Sequence, residues 1–146
     1  MVMWADPVEH HPDLLRVLPT DIVLVHWHYG EEPAAKFMPS VRAGFHVIGA
    51  SAISAEGQQP SAINLRNVED MTALTARPAP RRCLGRITCW WEPFRQLRDT
   101  YAFAAAFAGR AMTVGRAPAR AAFASSLARD YFGLRGASAA RAALGP

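Results

Sequence analysis

The apolar run Ile22–Tyr29 constrains the fold more than any other part of this sequence. It is rich in β-branched residues, nearly continuous in apolar character and closed by Gly30. A strand with one solvated face alternates apolar and polar residues, whereas a continuous run is typical of a strand covered on both faces, as in parallel sheets. Met1–Trp4, Gly44–Gly49 and Leu84–Trp91 fit further strands. The sequence therefore predicts a parallel sheet.

Helical patterns separate these strands. Pro12–Val17 and Ala34–Val41 predict short helices, and Asn64 is placed as the N-cap of a longer one. Pro93 opens another helix that we expect to end at Gly109, and the tail carries a last helix with apolar residues at helical spacing. The alternation of strands and helices indicates βα units.

Two arrangements of βα units fit, a small doubly wound sheet and a piece of a (β/α)8 barrel. No glycine-rich phosphate loop follows a strand, which gives a nucleotide-binding fold little support. The chain begins inside a strand, and four parallel strands alone would leave two open edges. We therefore predict an α/β fold: a partial (β/α)8 (TIM) barrel of about four parallel strands with helices in residues 1–108, and a C-terminal helical extension in residues 109–146.

The charge and the apolar content of the chain limit which kinds of partner we expect. The 146 residues carry a net charge of +4, and the arginines that supply it are spread through helical sequence, which is typical of solvated helix faces rather than of a nucleic-acid surface. No export signal and no run of about 18 apolar residues is present, so we expect no membrane partner and a cytoplasmic location by default. Cys83 and Cys89 lie too far apart along an extended strand to form a disulfide.

Aromatic and acidic residues mark the ends of the predicted strands. The candidate substrate-binding residues are Trp4, Asp6, Trp27, Tyr29, Trp90 and Glu92. Side chains alternate along a strand, so we assign Trp90 and Glu92 to the barrel axis and Trp91 to the helical layer. Aromatic faces stack on the C–H faces of sugar rings, and carboxylates accept hydrogen bonds from hydroxyls. The aromatic and acidic residues at the strand ends therefore predict a carbohydrate ligand, and we expect neither a metal nor a cofactor.

Four segments taken together resemble the C-terminal half of a family 20 glycoside hydrolase: Trp4–Asp6, Leu18–Val25 leading to Trp27, Gly44–Val47 and Leu84–Glu92. Those enzymes are β-N-acetylhexosaminidases on a (β/α)8 barrel, and the resemblance covers residues 1–108 as the fifth to eighth strands. The family's Tyr and Asp near the seventh strand have no counterpart in Gly49–Ala52.

The resemblance implies a role for each matched residue. Trp90 would form a wall of the sugar pocket and Glu92 would bind sugar hydroxyls, while Trp4 and Trp27 would surround the N-acetyl group. The catalytic Asp-Glu pair would lie upstream of Met1, where the Glu acts as general acid and the Asp orients the substrate's own acetamido group. This chain alone would then be inactive, and its partner would be the missing N-terminal half of the barrel.

Two alternatives stay open at the level of sequence. The chain could be a non-catalytic carbohydrate-binding or interaction fragment. It could also be a metal-dependent hydrolase using His26 and His28, whose spacing puts two imidazoles on one strand face. However, if Trp27 faces the mouth of the barrel, His26 has the opposite parity and packs against helices.

Overall fold

The computed structural model describes residues 1–30, 33–54, 60–76, 82–91 and 101–134. These ranges form an α/β fold with four strands, five α-helices and one 3₁₀ helix. In chain order they are β1 (Val2–Trp4), α1 (Asp6–His10), the 3₁₀ helix (Pro12–Arg16), β2 (Val23–Trp27), α2 (Ala34–Arg42), β3 (His46–Ser54), α3 (Ala62–Ala76), β4 (Cys83–Trp90), α4 (Ala102–Val114) and α5 (Arg120–Asp130). None of the described helices combines the length and the apolar character needed to cross a membrane.

The predicted parallel sheet is confirmed, and its strands pair in the order of the sequence, β1-β2-β3-β4. The register aligns Trp4 with Val25, Val25 with Ile48, and Ile48 with Gly85. Right-handed crossovers between sequential parallel strands place the successive helices on one side of the sheet, whereas a doubly wound sheet reverses its order and covers both sides. The order therefore excludes a doubly wound arrangement for these four strands.

Helices pack on one side of the sheet, here called the helical face. Leu24 and Val47 of neighbouring strands are fully buried there in a cluster with Phe37 of α2. A second cluster joins Ile53 of β3 to α3 and α4. The two clusters form the core of the described structure.

Gly49 brings α3 close to the middle of the sheet. A Cβ atom at Gly49 would overlap Sδ of Met71 and would lie 3.0 Å from Cγ2 of Thr75. Met71 is 1% exposed, so its side chain has little room to move. The glycine is therefore required by the close approach of α3 to β3.

The start of α3 differs from the predicted one. Ser61 precedes the helix, its backbone N–H donates to Oδ1 of Asn64 at 2.9 Å, and its hydroxyl donates to the same oxygen at 2.8 Å. The backbone N–H of Asn64 lies 3.5 Å from Oγ of Ser61. This reciprocal pattern is a capping box. Asn64 is thus the inner member of the cap, and its assignment as the N-cap residue is wrong.

The end of α4 also differs from the predicted one. The helix does not stop at Gly109 but continues to Val114, and Gly115 adopts the left-handed conformation (φ 75°) that commonly ends helices. A glycine inside a helix costs about 1 kcal/mol, which the surrounding alanines and the packing of α4 outweigh. The expected boundary at residue 108 therefore falls inside a helix, and Phe123 of α5 packs on Phe107 of α4.

Candidate functional site

The side of the sheet opposite the helices, here called the open face, carries the predicted aromatic residues of β1 and β2. Leu24 and His26 point to the helical face, so the alternate residues Val25 and Trp27 point away from it. The open-face positions of the four strands are Val2, Trp4, Val23, Val25, Trp27, His46, Ile48, Ala50, Ala52, Gly85, Ile87 and Cys89. The carboxyl ends of parallel strands are where α/β proteins place their binding sites.

Three aromatic residues at these carboxyl ends form a continuous chain of contacts, here called the aromatic row: Trp27, Tyr29 and Trp91. The indole N–H of Trp27 is 2.9 Å from each carboxylate oxygen of Asp6. The rings of Trp27 and Tyr29 are 5.0 Å apart, and the indole N–H of Trp91 donates to the Tyr29 hydroxyl at 2.6 Å. The row therefore connects the ends of β2 and β4, and Asp6, at the start of α1, joins it to the segment that follows β1.

Small residues on β3 leave room for the aromatic row. Ala50 and Ala52 are the open-face residues opposite Trp27 and Cys89, and both are fully buried. Because each presents only a methyl group, the Tyr29 side chain can reach across β3 to Trp91. The small-residue end of this strand, which departs from the resembled family, is thus a condition for the row.

The structure brings together three of the six predicted site residues, Asp6, Trp27 and Tyr29. Trp4 lies on the same open face, opposite Val25, and is 41% exposed. Glu92 lies outside the described residues.

Trp90 lies apart from the aromatic row, and the facing of β4 is the reverse of the predicted one. The Trp90 ring is 4.6 Å from the ring of Tyr101, a core residue that is 1% exposed. Thr88 also points to the helical face, with its hydroxyl 3.4 Å from Sδ of Met112 in α4. Trp91, which was assigned to the helices, directly follows β4 and joins the row.

Arg86 fixes this reversed facing. Its guanidinium donates to the backbone oxygens of Ala111 at 3.4 Å and Met112 at 2.8 Å, in the last turn of α4, and to the Thr75 hydroxyl at 3.1 Å. A cation is favoured at a helix C-terminus because the helix dipole is negative there. The arginine therefore holds its side of β4 against α3 and α4, a role that the sequence analysis did not identify.

The aromatic row is largely uncharged. Burial raises the pKa of the Tyr29 phenol, and burial also raises the pKa of the Cys89 thiol beside it. Both groups therefore stay protonated at neutral pH, and the Asp6 carboxylate is the acidic group in contact with the row. Cys83 and Cys89 are both free, which confirms the prediction that they form no disulfide.

Asn67 of α3 positions the loop that carries Tyr29, although the sequence analysis did not identify it. Its amide nitrogen donates to the backbone oxygens of His28 and Gly30, and its Oδ1 accepts from the backbone N–H of Ala52 at 3.2 Å. Asn67 is fully buried. One side chain therefore ties the segment on both sides of Tyr29 to β3.

A polar network lies beneath the row on the helical face. Nδ1 of His26 is 3.0 Å from Oε1 of Glu9, and Nε2 is 2.8 Å from Oγ of Ser40. Because a carboxylate only accepts hydrogen bonds, neutral His26 carries its proton on Nδ1 and accepts the Ser40 hydroxyl proton. Lys36 pairs with the other Glu9 oxygen at 2.8 Å and lies 5.6 Å from the centre of the Trp27 ring.

The order Ser40, His26, Glu9 is that of a serine hydrolase triad, but its burial excludes that role. His26 and Ser40 are each 1% exposed, and Ser40 lies within α2 on the side that packs against the sheet. A nucleophile must reach a substrate carbonyl, and this hydroxyl does not reach solvent. The network therefore joins α1 and α2 to β2 as a structural element.

The acid stability of the protein should depend on His26. Burial lowers the pKa of His26, although its contact with Glu9 partly opposes this effect, and Lys36 and Asp6 are the other charges that act on it. Unfolded chains bind a proton at this histidine below a pH of about 6.5, while the folded protein resists it, so stability falls as the pH drops below that value.

Urea unfolding at pH 7 and pH 5 measures this effect. His26→Gln should show a smaller loss of unfolding free energy between the two pH values than the wild type. His11→Gln, which removes an exposed histidine, should match the wild type. If His26→Gln lost as much unfolding free energy between pH 7 and pH 5 as the wild type, His26 would not be the source of the acid sensitivity.

Metal binding has little support in the described part of the chain. No group of three His, Cys, Asp or Glu residues converges there in a way that could hold a metal ion. Both ring nitrogens of His26 are engaged by Glu9 and Ser40, and the ring points to the helical face, as its parity predicted.

Comparisons of this chain with protein-family models, with curated proteins and with solved structures found no match. Its function therefore has to be inferred from the residues at the strand ends and from their geometry.

Proposed function

We propose that the open face binds carbohydrate through the aromatic row, with Asp6 and Trp4 beside it. The observation that supports this most is the contact between Trp27, Tyr29 and Trp91 at the carboxyl ends of two strands, next to a carboxylate. Rings held in this way present apolar faces without further loss of side-chain freedom, which favours stacking on the C–H face of a sugar.

The hydrogen bonds within the site leave the groups that a sugar needs. The two indole N–H groups are already used, by Asp6 and by Tyr29. Trp91, which is 45% exposed, therefore offers a ring face rather than a donor. A carboxylate has about four acceptor positions, and Trp27 occupies one on each oxygen of Asp6. The remaining positions can accept hydrogen bonds from sugar hydroxyls.

We further propose that this site belongs to an enzyme similar to the family 20 glycoside hydrolases. The four strands would be half of a (β/α)8 barrel, and the intact enzyme would hydrolyse terminal β-linked N-acetylhexosamine or a related sugar. The sequential parallel order and the helices on one face support the barrel. The catalytic Asp-Glu pair would come from the upstream half, and no cofactor takes part.

The alternatives have weaker support. A non-catalytic carbohydrate-binding fragment would use the same row and differs only in lacking the upstream pair. A metal-dependent hydrolase would need His26 together with His28, but the His26 ring is held on the helical face by Glu9 and Ser40. Binding of zinc at one equivalent, lost in His28→Ala, would be required to restore that alternative.

Titration calorimetry with the β-linked disaccharide of N-acetylglucosamine tests the proposal. We expect saturable binding to the 146-residue chain and no heat with glycerol, which offers hydroxyls but no ring face. We also expect no release of p-nitrophenol from p-nitrophenyl N-acetyl-β-glucosaminide by this chain alone. Absence of binding by this disaccharide and by other pyranose sugars would refute the carbohydrate site, and hydrolysis would refute the placement of the catalytic pair upstream.

A further inference from the structure

Lys36 of α2, the only lysine in the sequence, is joined to the core through Glu9. Its Nζ pairs with Oε2 of Glu9 at 2.8 Å, and Oε1 of the same carboxylate lies 3.0 Å from Nδ1 of His26. The Glu9 side chain is 15% exposed and His26 is 1% exposed. An exposed ion pair must hold two long side chains in one geometry at a cost in entropy. Here one partner is already fixed, so the position of the Lys36 ammonium group is well defined.

The same ammonium group contacts the aromatic row at Trp27. Nζ of Lys36 lies 5.6 Å from the centre of the Trp27 ring, within the range of a cation–π interaction. An ammonium group has three N–H donors, and Glu9 is the carboxylate that pairs with it in the described part of the chain. The Lys36 side chain is 42% exposed, so a ligand can reach the remaining donors. Lys36 therefore brings hydrogen-bond donors to the row.

The polar hydrogens of the aromatic row itself are engaged within the protein. The indole N–H of Trp27 is bonded to a carboxylate, and the indole N–H of Trp91 donates to Tyr29. The Tyr29 hydroxyl is also hydrogen-bonded to Cys89. A ligand that lies on the row therefore needs a donor from outside it for any carbonyl oxygen, and Lys36 is in direct contact with the row.

We propose that Lys36 determines specificity by selecting sugars that carry an acetamido group. This inference rests on the proposed function, because it concerns the same carbohydrate site. The carbonyl oxygen of the acetamido group accepts a hydrogen bond from Nζ of Lys36, and the methyl group packs on the Trp27 ring. A sugar with a hydroxyl at the same carbon has no methyl group for the ring, and its shorter substituent does not reach the ring and Nζ together.

The charges around Lys36 favour an uncharged acceptor over an acidic sugar. Glu9 already balances the charge of the ammonium group, and Asp6 places a second carboxylate on the Trp27 indole. A sugar carboxylate next to Nζ would meet two carboxylates and one ammonium group, and like charges repel. The carbonyl oxygen of an acetamido group brings no charge, so it gains the hydrogen bond without this repulsion.

Titration calorimetry with two disaccharides tests the role of Lys36. The β-linked disaccharide of glucose carries hydroxyls where that of N-acetylglucosamine carries acetamido groups. We expect the wild type to bind the acetylated disaccharide about tenfold more tightly, the effect of one hydrogen bond to a charged group. Lys36→Met keeps an unbranched apolar side chain without donors, and it should bind the two disaccharides within about twofold of each other.

Arg42→Met is the matched control for Lys36→Met. It removes the same charge from the last turn of the same helix, at an exposed position, and should keep the wild-type preference for the acetylated disaccharide. Retention of that preference by Lys36→Met, in a protein with the wild-type circular dichroism, would overturn the inference.

The wild type alone also provides results that would overturn the inference, so the test does not depend on the folding of a variant. Equal affinity for the two disaccharides would refute the role of Lys36 and leave the carbohydrate site standing. Binding of neither disaccharide, nor of other pyranose sugars, would refute the proposed function itself. Tighter binding of methyl β-glucuronide than of methyl N-acetyl-β-glucosaminide would show that the ammonium group selects a carboxylate, which contradicts the inference.

Discussion

Asn67→Leu should reduce the unfolding free energy by about 3 kcal/mol, because it removes three hydrogen bonds worth about 1 kcal/mol each. The lost bonds are those to the backbone of His28, Gly30 and Ala52, and Asn67 and Ala52 are fully buried, so water has little access to the Ala52 N–H. Leucine has a similar volume, which keeps the effect of a cavity small. Such a loss is a large part of the 5–15 kcal/mol that is typical of a domain. Urea unfolding at pH 7 measures it.

Asn64→Ala provides a matched control in the same helix. Among the described residues, the Asn64 side chain bonds to Ser61 at the start of α3, so its removal should cost about 1 kcal/mol, the usual value for a cap. If Asn67→Leu were no more destabilising than Asn64→Ala, the role assigned to Asn67 in holding the Tyr29 loop would be wrong. The Asn67 variant should also lose affinity for the disaccharide, because Tyr29 lies between the two residues that Asn67 holds.

The sheet could be predicted from the sequence because its signal is local. A run such as Ile22–Tyr29 is apolar at successive positions, and burial on both faces is the simplest way to satisfy it. Parity then fixed the facing of β2, where His26 packs against helices and Trp27 lies on the open face. The positions of Trp27 and Tyr29 in the candidate site follow from these two patterns, whereas Asp6 was placed by its position after β1.

The facing of β4 could not be predicted in the same way, because both sides of that strand carry a tryptophan and a polar or small residue. Arg86 shares a face with Trp90, and its partners include carbonyl groups at the end of α4, far along the chain. Asn67 is a similar case, since its partners lie on β3 and in the loop after β2. A side chain that satisfies distant backbone groups has no local signature in the sequence.

The predictions of where α3 begins and α4 ends were wrong for a more general reason. Gly109 and Asn64 are residue types that often stand at helix ends, but each also occurs inside helices when packing or a reciprocal cap compensates. The alanines around Gly109 favour the helix on both sides, and nothing lies within 4 Å of the Cβ position of that glycine. Residue type gives only a preference at such positions, and the neighbouring interactions decide the outcome.

Trp91→Ala should weaken binding of the N-acetylglucosamine disaccharide by at least about tenfold, equivalent to about 1.4 kcal/mol. The substitution removes one ring of the aromatic row and also the hydrogen bond that orients the Tyr29 hydroxyl. Trp91 is 45% exposed on the open face, so its loss should affect the ligand more than the core. Titration calorimetry is the suitable measurement, since its signal does not depend on the number of tryptophans.

Trp90→Phe is the matched comparison, and it separates the geometry from the family resemblance. The resemblance gives the sugar wall to Trp90, whereas the geometry places Trp90 against Tyr101 on the helical face and Trp91 in the row. Phenylalanine keeps a ring against Tyr101, so this variant should stay folded and bind the disaccharide within about twofold of the wild type, a difference below 0.5 kcal/mol by the same conversion. The opposite result, in which Trp90→Phe abolishes binding and Trp91→Ala retains it, would reinstate the facing that the resemblance implies and would exclude the aromatic row as the sugar site.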